Sequence, residues 1–383
     1  MKKRLLLLGA SGNLGLQTID VVDQLHDQFE IVGMSVGNRT QILRDYLKEH
    51  KLACACVKNK EDYDYFVKEY PEVKFYWGNN GLLELTAYTE CDLIVNNIIG
   101  FAGLLPTINS LKHKKNVALA NKESLVVAGR YLMNLAKENG VEIIPIDSEH
   151  SAIYQCLKGS RHEDIRRLII TASGGAFRNL TRDQLKDVTL AQALAHPNWN
   201  MGKMITIDSA TMMNKGFEVI EARWLFDVDF DHIDVIQHRE SVIASMVEFK
   251  DHAVLAQMGV SDMREHIQYA LETPLRSANN SKSLDLAQIG TLHFEKMDYE
   301  RFPFLALAYE VGRKDGNLPT IMNGANEAAV NLFLQEQIRF TDIEDLVFKT
   351  IEDCTFIAEP TIDQLVEADK WANEHVLSLA RKL

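Results

Sequence analysis

Asp147 and Glu149 stand two residues apart in IPIDSEHSAIYQ, residues 144–155, with Ser148 between them and His150 after them. In extended backbone, side chains at i and i+2 point to the same face. Two carboxylates on one face repel unless a cation lies between them. An all-oxygen donor set selects a hard ion such as magnesium or manganese. The plain alternative is a cluster of acids opening a helix, where the macrodipole favours negative charge. Both readings fit this stretch by itself.

More chemistry-bearing residues gather in 209–226, SATMMNKGFEVIEARWLF. Ser209, Thr211, Asn214 and Lys215 are donors suited to phosphate oxygens. Phe217, Ile220, Trp224 and Leu225 recur at helical spacing and predict a buried stripe. Glu218 and Glu221 flank that stripe, and periodicity does not choose between them as a further metal ligand. In TASGGAFR, residues 171–178, Ser173 precedes two glycines whose bare backbone lets an anion approach; a simple tight turn has the same composition. In AHPNWNMGK, residues 195–203, His196, Trp199 and Met201 lie in a loop bounded by proline and glycine. Large apolar groups there suit a lid over a substrate, or a loop packed onto its own domain.

Such groups need a scaffold. Lys3–Leu8 reads as a buried strand running into GASGNLG, Gly9–Gly15, and then into a helical pattern. Glycines at 9, 12 and 15 let the turn approach a pyrophosphate at a helix N-terminus, which predicts dinucleotide binding. The next strand, FEIVGMSV, ends at Gly37, Asn38 and Arg39. An arginine with no acid there favours the 2′-phosphate of NADP over the free ribose of NAD; an ordinary surface arginine is the alternative. CDLIVNNIIG, KNVALA and VEIIPI continue the strands, with helical stretches between them. The alternation predicts a mostly parallel sheet whose ligands lie beyond the strand carboxyl ends. Residues 100–103, Lys122 and residues 147–150 are therefore expected along one edge.

Composition sets limits. A chain of 383 residues predicts two or three domains. A net charge of −13 argues against a nucleic-acid partner, which needs an excess of lysine and arginine, but leaves room for a small phosphorylated substrate. The apolar run after Arg4 stops at Gly9, short of a secretory core, and none reaches the ~18 residues of a membrane span. Five cysteines, without CxxC spacing, predict reduced thiols and a cytoplasmic location.

LANKES, IPIDSEHSAIYQ, TASGGAF, HPNWNMG, IDSATMMNKGFEVIEARWLF, VLAQMGVSDMR and MNGANEAAV follow one another along the chain. In order and spacing they resemble the 1-deoxy-D-xylulose 5-phosphate reductoisomerases, over essentially the whole length. The resemblance implies a homodimeric enzyme of non-mevalonate isoprenoid biosynthesis, using NADPH and one Mn2+ or Mg2+ ion per site. It rearranges 1-deoxy-D-xylulose 5-phosphate to an aldehyde and reduces that to 2-C-methyl-D-erythritol 4-phosphate. By motif, Asp147, Glu149 and Glu218 would bind the metal, which decides for Glu218 over Glu221. Lys122, Ser148, Glu149 and His196 would be catalytic, Lys122 and Ser148 at the hydroxyl and carbonyl end of the substrate. Ser173, Ser209, Asn214 and Lys215 would hold its phosphate, under a flap with His196, Asn198, Trp199 and Met201. Gly9, Ser11, Gly12, Asn13, Leu14, Gly15, Gly37, Asn38, Arg39, Gly100, Asn121, Lys122, Glu123 and Met263 would meet NADPH, Met263 near the nicotinamide. The chain departs from the family in two places. Its glycine loop carries Asn13 where a small serine is usual. HRESVIAS, residues 238–245, replaces the usual HPQSxxHS, so that Arg239, Glu240 and Ala244 take the places of proline, glutamine and a second histidine.

The expected architecture is an N-terminal Rossmann-like NADPH domain over 1–147, an α/β catalytic domain over 148–290 with a flap at about 195–205, and a C-terminal helical domain over 291–383. ANEAAVNLFLQEQI and the last 23 residues show helical periodicity, and SANNSKS, residues 277–283, suits a linker. Two other readings remain: a diverged dehydrogenase of the same fold, separable by substrate profile, and a non-catalytic dinucleotide sensor, which would need no metal ligands.

Overall fold

The structure is a computed structural model that describes residues 1–88 and 90–382. Leu383, the last residue of the expected C-terminal helical stretch, lies outside the described residues. The chain divides into two compact units. The first comprises Met1–Ser124, Arg130–Ser151 and Asp262–Ser281; the second comprises Leu125–Gly129, Ala152–Ser261 and Lys282–Leu383.

The first unit is built on a seven-stranded sheet. Its strands are β1 (Lys3–Leu8), β2 (Phe29–Val36), β3 (Cys54–Val57), β4 (Lys74–Trp77), β5 (Leu93–Asn96), β6 (Asn116–Leu119) and β7 (Ile143–Pro145). They lie in the order β4-β3-β2-β1-β5-β6-β7, every neighbouring pair parallel. Leu5, Leu6, Leu7 and Leu8 are fully buried, as a central parallel strand covered on both faces requires. The order reverses beside β1, between β2 and β5, which is where ligands bind in folds of this kind. The carboxyl ends of β5, β6 and β7 are neighbours, so residues 100–103, Lys122 and 147–150 follow adjacent strands, as the strand pattern predicts. The helix Met263–Glu272 packs on the helix Asn13–Gln24 in this unit.

The second unit holds a mixed five-stranded sheet. Its strands β8 (Ile165–Ala172), β9 (Ile233–Gln237), β10 (Ile243–Phe249), β11 (Val254–Met258) and β12 (Glu295–Lys296) lie in the order β11-β10-β8-β9-β12. Only β8 and β9 run parallel. The helix Met213–Phe226 packs on it, and the helix Lys203–Thr211 packs on Met213–Phe226, the two separated by Met212 at φ 65°. Helices Pro303–Lys314, Leu318–Leu334, Phe340–Asp353 and Ile362–Ala380 complete the unit, and one apolar core joins them to the sheet.

Two expectations need correction. The linear boundaries at 147/148 and 290/291 do not follow the contacts: 262–281 belongs to the first unit, 125–129 to the second, and the C-terminal helices share the core of the second sheet. Hydrophobic pattern marks elements along a chain but not which core each one joins. The extended geometry assumed for Asp147 and Glu149 is also wrong. A helix begins at Ser148 and runs to Cys156, so Asp147 directly precedes it and Glu149 lies in its first turn. The acidic helix start and the candidate ligand pair are the same feature.

Candidate active site

The glycine loop of the first unit is held from outside. Gly9 N–H donates to Ser35 Oγ at 3.0 Å, and Gly37 N–H donates to Ser11 Oγ at 3.1 Å. Each hydroxyl ties the turn after β1 to β2 or its end. A Cβ on Gly15 would stand 2.4 Å from the Gly9 carbonyl oxygen and 2.5 Å from that of Ala10. Only glycine fits there, because the helix starts directly on the turn. No side chain caps the helix N-terminus at Gly12, and its first turn carries no acid. Its N–H groups are left to an anion. Asn13 is exposed and accepts from Gln17 Nε2 within its own helix. Asn38 and Arg39 are exposed past the end of β2.

Beyond β5 and β6 a second turn is tied down. Asn121 Nδ2 donates to the Gly100 carbonyl and to Glu123 Oε2, both at 2.8 Å, while Gly100 N–H donates to Glu123 Oε1 at 3.2 Å. Asn121 also caps its helix by accepting from Ser124 N–H at 3.2 Å. This fixes Lys122, which is 7% exposed, with Nζ 2.6 Å from Asp147 Oδ2. Burial opposes ionisation of Asp147, but Lys122 and His150 outweigh it, and its carboxyl is held well below the usual carboxylate range. His150 is fully buried, Nδ1 3.6 Å from Asp147 Oδ2. Ser148 Oγ donates to Glu149 Oε2 at 2.5 Å.

The second unit gathers the remaining candidates. A Cβ on Gly175 (φ +66°) would stand 2.4 Å from the Ser209 carbonyl oxygen, so the Ser173 turn lies directly against the helix Lys203–Thr211. Ser209 is buried, and Asn214 and Lys215 lie in the first turn of the helix Met213–Phe226. Glu218, one turn on, is 0% exposed. It accepts from Asn214 Nδ2 at 2.5 Å and from Lys215 Nζ at 2.6 Å. Glu221 is also buried, so burial alone does not separate the two glutamates. Trp224 and Leu225 are only partly buried, and the stripe is narrower than its periodicity suggests.

Around Ser173 the hydrogen bonds fix a proton. His196 Nδ1 accepts from the N–H groups of Asn198 (3.2 Å) and Trp199 (2.9 Å), so it carries no hydrogen. The ring proton therefore sits on Nε2, 3.0 Å from Ser173 Oγ. Burial lowers the His196 pKa to about 4, helped by Lys215 and Arg178. Two cations and the bare Gly174–Gly175 backbone make this a place for an anion.

Both candidate ligand groups suit a divalent ion. Asp147 and Glu218 each have a lysine ammonium beside the carboxylate, which offsets the cost of withdrawing its charge from water. Asp147, Glu149 and Glu218 offer only oxygen donors, which suits a hard cation.

Three family models match this chain. One described as 1-deoxy-D-xylulose 5-phosphate reductoisomerase covers residues 5–129, and two for C-terminal domains of that enzyme cover 143–226 and 258–375. The chain is 47% identical to the 1-deoxy-D-xylulose 5-phosphate reductoisomerase of Geobacillus sp. (strain WCH70), over 98% of this chain and 100% of the relative. The chain belongs to the 1-deoxy-D-xylulose 5-phosphate reductoisomerase family. A second relative of that name, from Macrococcus caseolyticus, is 48% identical over 96% of this chain and 97% of its own. Among solved structures, a 1-deoxy-D-xylulose 5-phosphate reductoisomerase from Zymomonas mobilis in complex with NADPH matches with TM-score 0.93 at 37% identity, over 100% of both chains. A DOX-P reductoisomerase in complex with NADPH, fosmidomycin and magnesium matches with TM-score 0.94 at 34% identity, over 99% of this chain and 98% of that one. The expectation of an oxidoreductase with a Rossmann-like domain holds for this member of the reductoisomerase family.

Sequence reasoning about this family member missed several supports. Ser35 is an ordinary strand serine until β2 lies beside the glycine loop. Arg178, at the end of TASGGAFR, donates from Nη1 to the carbonyls of Ser173 (3.3 Å) and Arg239 (2.9 Å). His150 lies within the polar stretch that the sequence marks, and its i, i+3 spacing from Asp147 is the signal for its place beside that carboxylate.

Proposed function

We propose that this protein catalyses the NADPH- and divalent-metal-dependent rearrangement and reduction of 1-deoxy-D-xylulose 5-phosphate to 2-C-methyl-D-erythritol 4-phosphate. Asp147, Glu149 and Glu218 hold one Mg2+ or Mn2+ ion. Gly9, Ser11, Gly12, Asn13, Leu14, Gly15, Gly37, Asn38, Arg39, Gly100, Asn121, Lys122, Glu123 and Met263 bind NADPH. Ser173, Ser209, Asn214 and Lys215 take the substrate phosphate, and His196, Asn198, Trp199 and Met201 cover it. The observation that carries the reading is that two of the proposed ligands, Asp147 and Glu218, each have a lysine ready to balance their charge, in a chain that also carries an uncapped glycine loop. The complexes of related proteins with NADPH and magnesium support the cofactor choice.

Bound there, the ion supplies Lewis acidity toward an α-hydroxy ketone and NADPH supplies hydride. The chain does the rest. Lys122, buried beside Asp147, presents its ammonium to the substrate's hydroxyl and carbonyl end together with the Ser148 hydroxyl. Neutral His196 donates from Nε2, and Lys215 and Arg178 add positive charge around the phosphate. Phosphate binding remote from the reacting carbons closes the loop and excludes water.

A homodimer in the cytoplasm completes the reading. β11 is an edge strand, and Val254 and Leu255 on it are 49% and 48% exposed. An apolar edge of that kind invites pairing with a second copy. All five cysteines are free thiols, and no described helix is long and apolar enough to cross a membrane. The net charge of −13 supports a partner set without nucleic acid.

The test is NADPH oxidation with 1-deoxy-D-xylulose 5-phosphate, with and without Mn2+, for the native chain and Glu218→Gln. Metal-dependent turnover that falls by about 10²-fold or more in the variant is expected, since a lost ligand weakens the metal and its polarising effect. An active variant removes Glu218 from the ligand set. A folded native protein without turnover turns the assignment toward the diverged dehydrogenase.

A further inference from the structure

The segment 238–245, where this chain departs from the usual family pattern, makes contacts that none of the assigned roles uses. Ser241 sits in the left-handed region at φ 52°. That turn directs the Arg239 carbonyl and the Ser241 hydroxyl to one point. Asn198 Nδ2 donates to both, at 2.6 Å and 2.7 Å. The turn is itself anchored. His238 Nε2 accepts from the N–H groups of Val242 and Ile243, both at 3.2 Å, and His238 Nδ1 donates to the His293 carbonyl at 3.0 Å. Arg239, in the usual place of a proline, donates from Nε to Glu295 Oε1 (2.8 Å) and from Nη1 to Asn179 Oδ1 (2.7 Å).

From Asn198 the connection runs to the anion site. Asn198 and Trp199 hold the His196 ring through Nδ1, and the ring delivers its Nε2–H to Ser173 Oγ. Ser173 Oγ also accepts from Gly175 N–H at 3.2 Å. An oxygen that already accepts two hydrogen bonds keeps its own proton to donate, and an anion is the partner it suits. Arg178 adds a second tie, joining the carbonyls of Ser173 and Arg239.

We propose that Ser241 and the Arg239 carbonyl are positioning groups: they latch Asn198, and through His196 preset the Ser173 hydroxyl as a donor to the substrate phosphate. The turn thus sets how much of the population has the 196–201 loop and Ser173 ready before substrate arrives, a pre-organisation that shows in binding. The link from Ser173 to phosphate rests on the reaction proposed above; the latch itself does not.

Ser241→Gly and Ser241→Ala test it in the full-length protein. Both remove the hydroxyl, and glycine also relieves the left-handed backbone, so the pair separates a lost hydrogen bond from backbone strain. Hydrogen exchange of peptides covering 196–202, without ligand, is expected to quicken about three- to tenfold in both, the effect of one lost hydrogen bond. Affinity for inorganic phosphate, measured by calorimetry, is expected to fall by a similar factor. KM for 1-deoxy-D-xylulose 5-phosphate should rise likewise, with kcat within about twofold, as for loss of uniform binding. Unchanged exchange overturns the latch, and so does native exchange in the glycine variant alone. Faster exchange with unchanged phosphate affinity overturns the positioning of Ser173. If the native protein turns over no 1-deoxy-D-xylulose 5-phosphate, the proposed reaction fails, while the exchange and phosphate measurements still decide this proposal.

Discussion

At the scale of single residues, His196 shows how a loop can fix a protonation state. Its Nδ1 is committed to two backbone N–H groups, and its pKa is lowered to about 4 by burial beside Lys215 and Arg178. The ring is therefore neutral at physiological pH and acts as a fixed Nε2–H donor. It should add no inflection to the pH profile of kcat/KM between pH 6 and 8. The same shift bears on stability. An unfolded chain takes up a proton on this ring near pH 6.5, and the folded chain only near 4. The unfolded state thus binds more protons between those values, and stability falls as pH drops through that window. Thermal unfolding at pH 7.5 and pH 5.0 checks it: Tm should fall less over that interval in His196→Asn than in the native chain. An equal fall in both would place the cause in other groups.

At the scale of elements, the glycine loop depends on packing as much as on ligand contact. A Cβ at Gly15 meets two backbone carbonyl oxygens, neither of which has a flexible side chain to move aside. Gly15→Ala must push the helix Asn13–Gln24 away from β1, and overpacking of this kind costs about 1–3 kcal/mol. The displaced helix would carry its N-terminal N–H groups out of reach of a pyrophosphate. Fluorescence titration should show NADPH affinity lower by about tenfold or more, in proportion to that displacement. Native affinity in the variant would mean that the helix N-terminus does not hold the cofactor.

At the scale of the whole molecule, the second sheet ends in β11, with apolar side chains turned to solvent. A chain with net charge −13 repels its own copies at long range, so association needs a compensating apolar edge. Light scattering after gel filtration should give twice the chain mass for the native protein, and a larger monomer fraction for Leu255→Asp. A native monomer would remove the homodimer from the reading. An unchanged dimer in the variant would move the interface off β11.

Much of this was present in one dimension. Strand–turn–helix alternation, the glycine loop and the order of the seven family segments follow from residues close together in sequence, because backbone geometry and hydrophobic period act over a few residues. Asp147, Glu149 and Lys122 were legible as strand-end groups for the same reason. Tertiary structure alone decided the rest. It brought Lys122 to Asp147, though 25 positions separate them in the sequence. It returned 262–281 to the first unit and the C-terminal helices to the core of the second sheet. It turned an apparent extended pair of acids into a helix start, and it made a latch from Asn198 and a turn some 41 residues later. Local sequence carries no term for such pairings, since each depends on the path of the chain between the partners and on which core that path can join.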